Sequence, residues 1–433
     1  MAKVKPTVGD TSWFVHDRFG LFIHWGLYAQ GARHEWLKHR EEIPNEVYDA
    51  KYFKRFDPDL YDPSLWADAA ANAGMKYFVI TTKHHEGFCL WDTQQTDYKA
   101  PNTACGRDLL RPMAEAFRSR GLKTGFYYSV IDWHHPHYVL DPYHGPYRNH
   151  PDREKMNKGR DQSKYAAYMR EQVRELLTDY GRVDVLFYDY SYPRPDGSGK
   201  GRKDWESTKL LKLTRELMPG IVVNDRIDLN DVEGGWDIKT PEQFMPRKWV
   251  EVDGQRVVWE TCQTFSGSWG YHRDEATWKS VEQLLGMLIE VVSKGGNLLL
   301  NVGPTGRGEF DERALDRLAG MGQWMKRHGR AIYGCTAAPA VFKQPQDCRL
   351  TYNPDTKRLY VHVLAWPFRH LHLDGFADRV EYAQLLNDAS EVKFSQPSEH
   401  MKSLGGKDRK TLTLDLPVVK PNVAVPVVEL FLK

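Results

Sequence analysis

The chain has 433 residues, a formal net charge of +2 and a hydrophobic fraction of 41%. A charge this close to zero excludes the strongly basic surface that binding of nucleic acids or anionic membranes requires, so we expect small neutral partners. The five cysteines form an odd set without a close pair, which argues against a disulfide framework and against a zinc site of clustered thiolates.

The N-terminal segment lacks the apolar core of a signal peptide, and no apolar run reaches membrane-spanning length. We therefore expect a cytoplasmic protein that is not held at a membrane, although a leader removed from the chain would leave the same sequence. Aromatic residues make up 12% of the chain, including 14 tryptophans and 22 tyrosines. Most of them must serve the core, but such side chains also suit a sugar site, because their rings stack on C–H faces and their polar tips bond hydroxyl groups.

Short apolar runs alternate with helical patterns from residue 19 to residue 328. Buried strands are predicted at residues 19–26, 77–82, 124–129, 183–189, 221–226, 256–261 and 295–304. Helical periodicity is present at residues 62–74, 108–121, 165–180, 205–218, 277–294 and 311–328. Residues 228–254 are irregular and charged, which predicts an insertion loop. Beyond Tyr333 short alternating runs predict strands, at residues 359–363, 412–414 and 427–431.

The alternation of strands and helices predicts a parallel sheet or a barrel. No glycine-rich phosphate loop follows the first strand, and polar residues follow five strands instead of gathering at one switch point, which favours a barrel over a doubly wound sheet. We predict an α/β fold in which a (β/α)8-like barrel, residues 1–336, is followed by a C-terminal antiparallel β-sandwich, residues 337–433.

Asp189 is the first candidate for chemistry. It ends the fourth strand on the same face as Val183, Val185 and Phe187, because side chains alternate along a strand. Barrel enzymes hold their catalytic residues at the carboxyl ends of strands. From this strand alone, it is equally possible that Asp189 only caps the loop that follows the strand.

Eight motifs along the chain decide between these explanations. They are FIHWG at 22–26, HEW at 34–36, KHHEGF at 83–88, YYS at 127–129, the strand ending at Asp189, NDR at 224–226, WETC at 259–262 and GNLLLNVGP at 296–304. In this order they resemble the motifs of family 29 glycoside hydrolases, the α-L-fucosidases, over residues 14–333. The resemblance implies a retaining exo-glycosidase that hydrolyses terminal α-L-fucosyl linkages of oligosaccharides or glycoconjugates through a covalent intermediate on Asp189.

The resemblance also implies the residues of the sugar pocket, which are His24, Glu35, Trp36, His84, His85, Tyr128 and Arg226. Fucose carries a methyl group at C6, and we expect Phe22, on the same strand face as His24, to form part of an apolar wall for it. Phe187 and Trp269 are also expected to line the pocket. Phe187 stands where many family members have tryptophan, and Leu37 follows Trp36 where tyrosine is common. Both departures change the expected shape of the pocket.

The acid/base residue is predicted to be Glu260. Trp259 and Trp269 are close to it in sequence, and desolvation by such neighbours raises the pKa of a carboxyl group. Glu35 and Glu251 are the alternatives.

Two other functions fit parts of the sequence. A metal-dependent hydrolase on the same barrel is suggested by His24, His84, His85 and the histidines at 134–137, although such enzymes usually carry His-x-His after the first strand. A catalytically inactive fucose-binding protein would need the pocket but no carboxylate at Asp189. We predict neither a metal nor a cofactor. The sequence leaves the linkage preference open, and also whether the chain forms a homo-oligomer.

Overall fold

The computed structural model describes residues 3–396 and 410–433. Its first sheet contains seven parallel strands, which are β1 Phe19–Ile23, β2 Tyr77–Lys83, β3 Lys123–Ser129, β4 Val185–Asp189, β5 Val222–Val223, β8 Glu260–Thr264 and β9 Asn297–Val302. Their order across the sheet is β5-β4-β3-β2-β1-β9-β8. A short antiparallel hairpin, β6 Glu251–Val252 and β7 Gln255–Arg256, lies outside this sheet.

Helices follow most of these strands. The longer ones are α5 Pro63–Asn72, α6 Leu110–Ser119, α8 Gln162–Thr178, α9 Ser207–Leu217, α10 Val281–Ser293 and α11 Glu312–His328. Shorter helices are α1 Ser12–Asp17, α2 Tyr28–Gly31, α3 Leu37–Arg40, α4 Asn45–Lys51 and α7 Arg153–Met156. Their first turns carry ordinary signals: the Asp62 side chain caps α5 with Pro63 in the first position, and Ser280 and Gln283 form a capping box on α10.

The two edge strands, β5 and β8, are joined by residues 237–242, so the sheet closes into a barrel. Asp237 N–H donates to Val223 O at 2.8 Å, which ties this segment to β5. On its other side Lys239 O accepts from Glu260 N–H at 2.9 Å, which ties it to β8. Isolated parallel bridges run along both sides of the segment. The segment therefore occupies the eighth strand position, and the predicted barrel is confirmed.

The prediction that residues 228–254 form an insertion loop is wrong for their middle part. Residues 237–242 belong to the barrel wall. This wall segment lacks the long apolar run that indicates a buried strand, and isolated bridges hold it in place.

Side chains that point into the barrel form their own buried cluster, separate from the layer between strands and helices. It consists of Phe14, Phe22, Tyr77, Val79, Tyr127, Val185, Phe187, Val222, Ile238, Val258, Cys262 and Leu299. Because successive side chains of a strand point to opposite faces, their sequence neighbours pack against the helices.

The C-terminal part is the predicted antiparallel β-sandwich. Five strands, β10 Thr336–Ala337, β11 Cys348–Asn353, β12 Arg358–Val363, β14 Val380–Leu385 and β17 Val427–Leu432, form one sheet. Three others, β13 His370–Asp374, β15 Lys393–Ser395 and β16 Thr411–Asp415, form the second. Trp324 of α11 donates from Nε1 to Val425 O at 2.8 Å and so links barrel and sandwich. No helix in residues 3–396 or 410–433 has the length and apolarity needed to cross a membrane.

Candidate active site

A pocket opens at the carboxyl end of the barrel strands. It is lined by Phe22, His24, Trp36, His84, His85, Tyr127, Phe187, Asp189, Tyr190, Arg226, Glu242, Cys262 and Trp269. Aromatic rings make up most of the wall, and the charged groups are two carboxylates and one guanidinium. Such a combination suits a sugar, which needs apolar faces and a few fixed polar contacts.

Asp189 is the last residue of β4 and lies beside Ser129, the last residue of β3. Arg226 donates from Nη1 to its Oδ1 at 2.7 Å, and the Tyr127 hydroxyl donates to its Oδ2 at 2.8 Å. Burial alone would raise the pKa of Asp189, but the Arg226 charge, His85 and these hydrogen bonds outweigh burial and hold the pKa below its ordinary value. Asp189 is therefore ionised, as a carboxylate nucleophile must be.

Glu242 is the second carboxylate of the pocket. The same Nη1 of Arg226 donates to Glu242 Oε2 at 2.6 Å. Since Asp189 Oδ1 is bonded to that nitrogen at 2.7 Å, the two carboxylate oxygens lie no more than about 5.3 Å apart. Retaining glycosidases place their carboxyl groups about 5–5.5 Å apart, and inverting enzymes about 6.5–9.5 Å. This upper limit is shorter than the separation in inverting enzymes and is compatible with a retaining pair.

Arg226 is fixed by the closing segment of the barrel. Its Nε donates to Thr240 Oγ1 and its Nη2 to Thr240 O, both at 2.9 Å. The guanidinium carbon also lies 5.2 Å from the centre of the Phe187 ring. With three such restraints, one arginine can hold both carboxylates in place.

Three buried histidines face the carboxylates. Burial lowers the pKa of His24 to about 3 and that of His85 to about 4, and it also lowers the pKa of His84. His85 Nε2 lies 3.9 Å from Asp189 Oδ2. At neutral pH all three rings are uncharged and can exchange hydrogen bonds with sugar hydroxyls.

Most of the predicted pocket residues are brought together. Among the pocket-lining residues are Phe22, His24, Trp36, His84, His85, Phe187, Asp189, Arg226 and Trp269. Glu35 is not part of the lining, although it is buried near it. Its Oε2 accepts from Gly270 N–H at 2.8 Å, and burial raises its pKa to about 7.

Tyr128, which the resemblance implies as a pocket residue, points away from the pocket. Its hydroxyl donates to Gln172 Oε1 at 2.8 Å in the layer between barrel and helices, and Lys83 Nζ lies 4.4 Å from its ring centre. Tyr127, its neighbour, points into the barrel and contacts Asp189. The prediction of Tyr128 as a sugar contact is therefore wrong, and Tyr127 takes that position.

The prediction of Glu260 as acid/base is also wrong. Glu260 is the first residue of β8, so it lies at the amino end of the barrel, opposite the pocket. Its carboxylate accepts from the hydroxyl of Tyr77, the first residue of β2. Burial does raise its pKa, to about 8, but no substrate in the pocket can reach it. The alternative Glu251 is exposed on the β6–β7 hairpin and pairs with Lys248 at 3.0 Å.

Four pocket residues were missed from the sequence, namely Tyr127, Tyr190, Glu242 and Cys262. A signal for Glu242 was present. Ile238 is in the barrel-interior cluster, Thr240 bonds Arg226, and Glu242 lines the pocket. The spacing of two is the alternation that identified Asp189.

The histidines at 134–137 do not join the pocket. His134 Nε2 lies 2.9 Å from Asp49 Oδ2, and its ring stacks on Tyr98 at 3.7 Å. Within the described ranges, no group of three histidine, cysteine, aspartate or glutamate side chains is arranged to hold a metal ion.

Comparison with known proteins places this site in a family. The family profile described as Alpha-L-fucosidase matches residues 5–330. Human plasma α-L-fucosidase is 30% identical over 393 residues, which cover 82% of this chain and 76% of that protein. The solved structure of α-L-fucosidase isoenzyme 1 from Paenibacillus thiaminolyticus has 43% identity and a TM-score of 0.90, with 98% of both chains covered.

A second solved structure bears on the chemistry. It is a trapped covalent intermediate of a GH29 α-L-fucosidase from Bacteroides thetaiotaomicron, in complex with 2-fluoro-fucosyl fluoride. It has 26% identity and a TM-score of 0.84, and covers 100% of this chain and 98% of that one. The barrel, the pocket at its carboxyl end and these matches lead to one conclusion: the chain belongs to the α-L-fucosidase family of glycoside hydrolases.

Proposed function

We propose that this chain is a retaining, exo-acting α-L-fucosidase in which Asp189 is the nucleophile and Glu242 the acid/base. The observation that carries the proposal is the pair of carboxylates bonded to one nitrogen of Arg226 inside an aromatic pocket. Terminal α-L-fucosyl groups of oligosaccharides or glycoconjugates are the proposed substrates.

The reaction has two displacements. In the first, an oxygen of Asp189 bonds to the anomeric carbon while the bond to the leaving oxygen breaks, and Glu242 gives its proton to that oxygen. In the second, Glu242 takes a proton from water as the water oxygen bonds to the same carbon, and Asp189 leaves as a carboxylate. Two inversions give net retention.

The exposure of the two carboxylates agrees with these roles. The Asp189 side chain is 13% exposed and that of Glu242 is 44% exposed. Asp189 is thus placed to meet the sugar inside the pocket. Glu242 lies nearer the solvent, where the leaving group departs and water enters.

The pocket wall supplies the contacts that a 6-deoxy sugar needs. Phe22 lies 5.3 Å from Phe187 and 5.9 Å from Trp269, measured between ring centres, and together they form a continuous apolar surface. We assign this surface to the C6 methyl group and the C–H face of fucose. A hydroxyl at C6, as in galactose, would lose hydrogen bonds with water there and find no partner on the rings.

Hydrolysis of an aryl α-L-fucoside, followed by proton NMR, tests the proposal. We expect α-L-fucose to form first and the β anomer to appear only as the sugar mutarotates. First formation of the β anomer would mean inversion. A rate that is abolished by a chelator and restored by metal would favour the metal-dependent hydrolase, and fucose binding without turnover would favour an inactive binding protein.

A further inference from the structure

Asn301 holds two parts of the pocket with one side chain. Its Nδ2 lies 2.6 Å from Trp269 O, and its Oδ1 lies 2.6 Å from His24 Nδ1. A carbonyl oxygen can only accept, so the amide nitrogen of Asn301 must face Trp269 and the amide oxygen must face His24. The group that donates between Asn301 and His24 is therefore the imidazole, through a proton on Nδ1.

Ser129 makes the equivalent contact to His85. The Ser129 hydroxyl donates to Ile131 O at 2.8 Å, so its single proton is used there. His85 Nδ1 lies 2.8 Å from the same hydroxyl oxygen, which can then only accept. His85, like His24, carries its proton on Nδ1.

We propose that Asn301 and Ser129 are positioning residues for the reaction, each fixing one pocket histidine in the Nδ1–H form. A neutral imidazole with a proton on Nδ1 has a lone pair on Nε2. His24 and His85 would therefore accept hydrogen bonds from two sugar hydroxyl groups, and this selects hydroxyl donors at two positions of the ring. The inference deepens the proposed function and rests on it for the identity of the ligand.

The arrangement also keeps His85 from blocking the nucleophile. Nε2 of His85 is 3.9 Å from Asp189 Oδ2, and a proton on that nitrogen would compete for the carboxylate. His84 provides an internal contrast, because its Nδ1 is buried without a hydrogen-bond partner among the described residues. Within residues 3–396 and 410–433, no hydrogen bond to Nδ1 fixes the tautomer of His84.

Nitrogen NMR of the wild-type protein tests the tautomers directly. The protein is labelled with ¹⁵N in the histidine rings, and long-range proton–nitrogen correlations at about pH 7 distinguish Nδ1–H from Nε2–H and from the cation. His24→Gln and His85→Gln variants assign the signals. We expect both rings to be neutral with the proton on Nδ1; a cation or an Nε2–H form at either ring would overturn the proposal for that ring.

Asn301→Asp adds a kinetic test, because it places a carboxylate beside His24 Nδ1. The other titratable groups around His24 are Asp189, His34, His84, His85 and Tyr127. A nearby opposite charge shifts a pKa by about 1–3 units toward the charged form, so His24 should become a cation at a higher pH than in the wild type. The cation cannot accept a hydrogen bond at Nε2. The acidic limb of the pH profile of kcat/KM should therefore move to a higher pH, by about one pH unit or more.

Asn297→Asp is the matched control, since Asn297 is buried on the same strand at the end away from the pocket. Its acid limb should coincide with that of the wild type. If Asn301→Asp lowers kcat/KM by the same factor at every pH, Asn301 has only a structural role and its assignment as a positioning residue is overturned.

Ser129→Ala should lower kcat/KM and leave His85 as a mixture of tautomers. Ser129→Thr keeps the hydroxyl group, and His85 in this variant should have its proton on Nδ1 as in the wild type. An unchanged His85 spectrum in Ser129→Ala would refute the role of Ser129. Because NMR reads the rings without turnover, a chain without fucosidase activity would refute the proposed function and leave the tautomers to be judged separately.

Discussion

Replacing Glu242 by alanine separates the two tasks of an acid/base residue. A substrate whose leaving group is already acidic, such as a dinitrophenyl fucoside, needs no proton to depart. A fucosyl-sugar needs one. Glu242→Ala should therefore keep most of its kcat/KM on the activated substrate and lose most of it on the fucosyl-sugar.

The size of the loss follows from the position of Glu242. General acid catalysis contributes about 10²–10⁴-fold, which corresponds to about 2.7–5.4 kcal/mol of transition-state stabilisation. The folding cost is much smaller, because the side chain is 44% exposed and an ion pair near the surface contributes about 0–1 kcal/mol. A loss of several hundredfold with a nearly unchanged melting temperature is therefore the expected result.

Azide distinguishes a chemical defect from a structural one. Without Glu242 no group deprotonates the incoming water, so hydrolysis of the covalent intermediate is slow. Azide is a nucleophile that needs no general base. It should restore turnover of the activated substrate. Azide displaces Asp189 from the face that the leaving group left, so the product should be the α-fucosyl azide.

Glu251→Ala is the matched control for Glu242→Ala, because Glu251 is an exposed glutamate outside the pocket. It should behave like the wild type on both substrates. Equal losses on both substrates in Glu242→Ala, or the absence of azide rescue, would refute the assignment of Glu242 and leave that of Asp189 intact.

Three further outcomes are expected. Asp189→Ala should lower kcat by several orders of magnitude while calorimetry still detects fucose binding, and a residual rate within about tenfold of the wild type would contradict the nucleophile assignment. Tyr127→Phe removes a hydrogen bond to a charged oxygen, worth about 1.5–3 kcal/mol, and should lower kcat/KM about tenfold or more. Tyr128→Phe should leave kcat/KM unchanged, and similar losses in both variants would contradict the placement of the two tyrosines on opposite faces of the strand. Burial raises the pKa of Glu260 from 4.5 to about 8, so the wild type should lose stability as pH rises through that window. Glu260→Gln, which cannot ionise, should gain stability relative to it over the same range in urea unfolding, and a constant difference across pH would refute the shift.

The barrel and the position of Asp189 at its carboxyl end could be predicted because their signals are local, whereas the role of Asp189 came from the family resemblance. Alternating strands and helices define the fold class, and the spacing of two along β4 places Asp189 on the same face as Val185 and Phe187. Alternation gives no such answer for β3, where Tyr128 was implied by the family resemblance. Both faces of that strand are buried after its first residue, so hydrophobic alternation does not show which of Tyr127 and Tyr128 points inward.

The predicted and observed positions of Glu260 differ because the sequence pattern gives the wrong boundary for its strand. The apolar run 256–261 suggested a strand that ends near Glu260, which would bring it to the catalytic end. In the structure β8 begins at Glu260 and ends at Thr264. An error of a few residues in a parallel strand thus moves a side chain from one end of the barrel to the other, at a rise of about 3.3 Å per residue.

The shared guanidinium of Arg226 couples the two carboxyl groups of the pocket. One of its nitrogens is bonded to both Asp189 Oδ1 and Glu242 Oε2. In the proposed mechanism Asp189 becomes a neutral ester when it bonds to the sugar, and its negative charge disappears from the site. Arg226 then faces Glu242 without the competing charge of Asp189. The first displacement therefore changes the electrostatic surroundings of the glutamate that must next accept a proton from water.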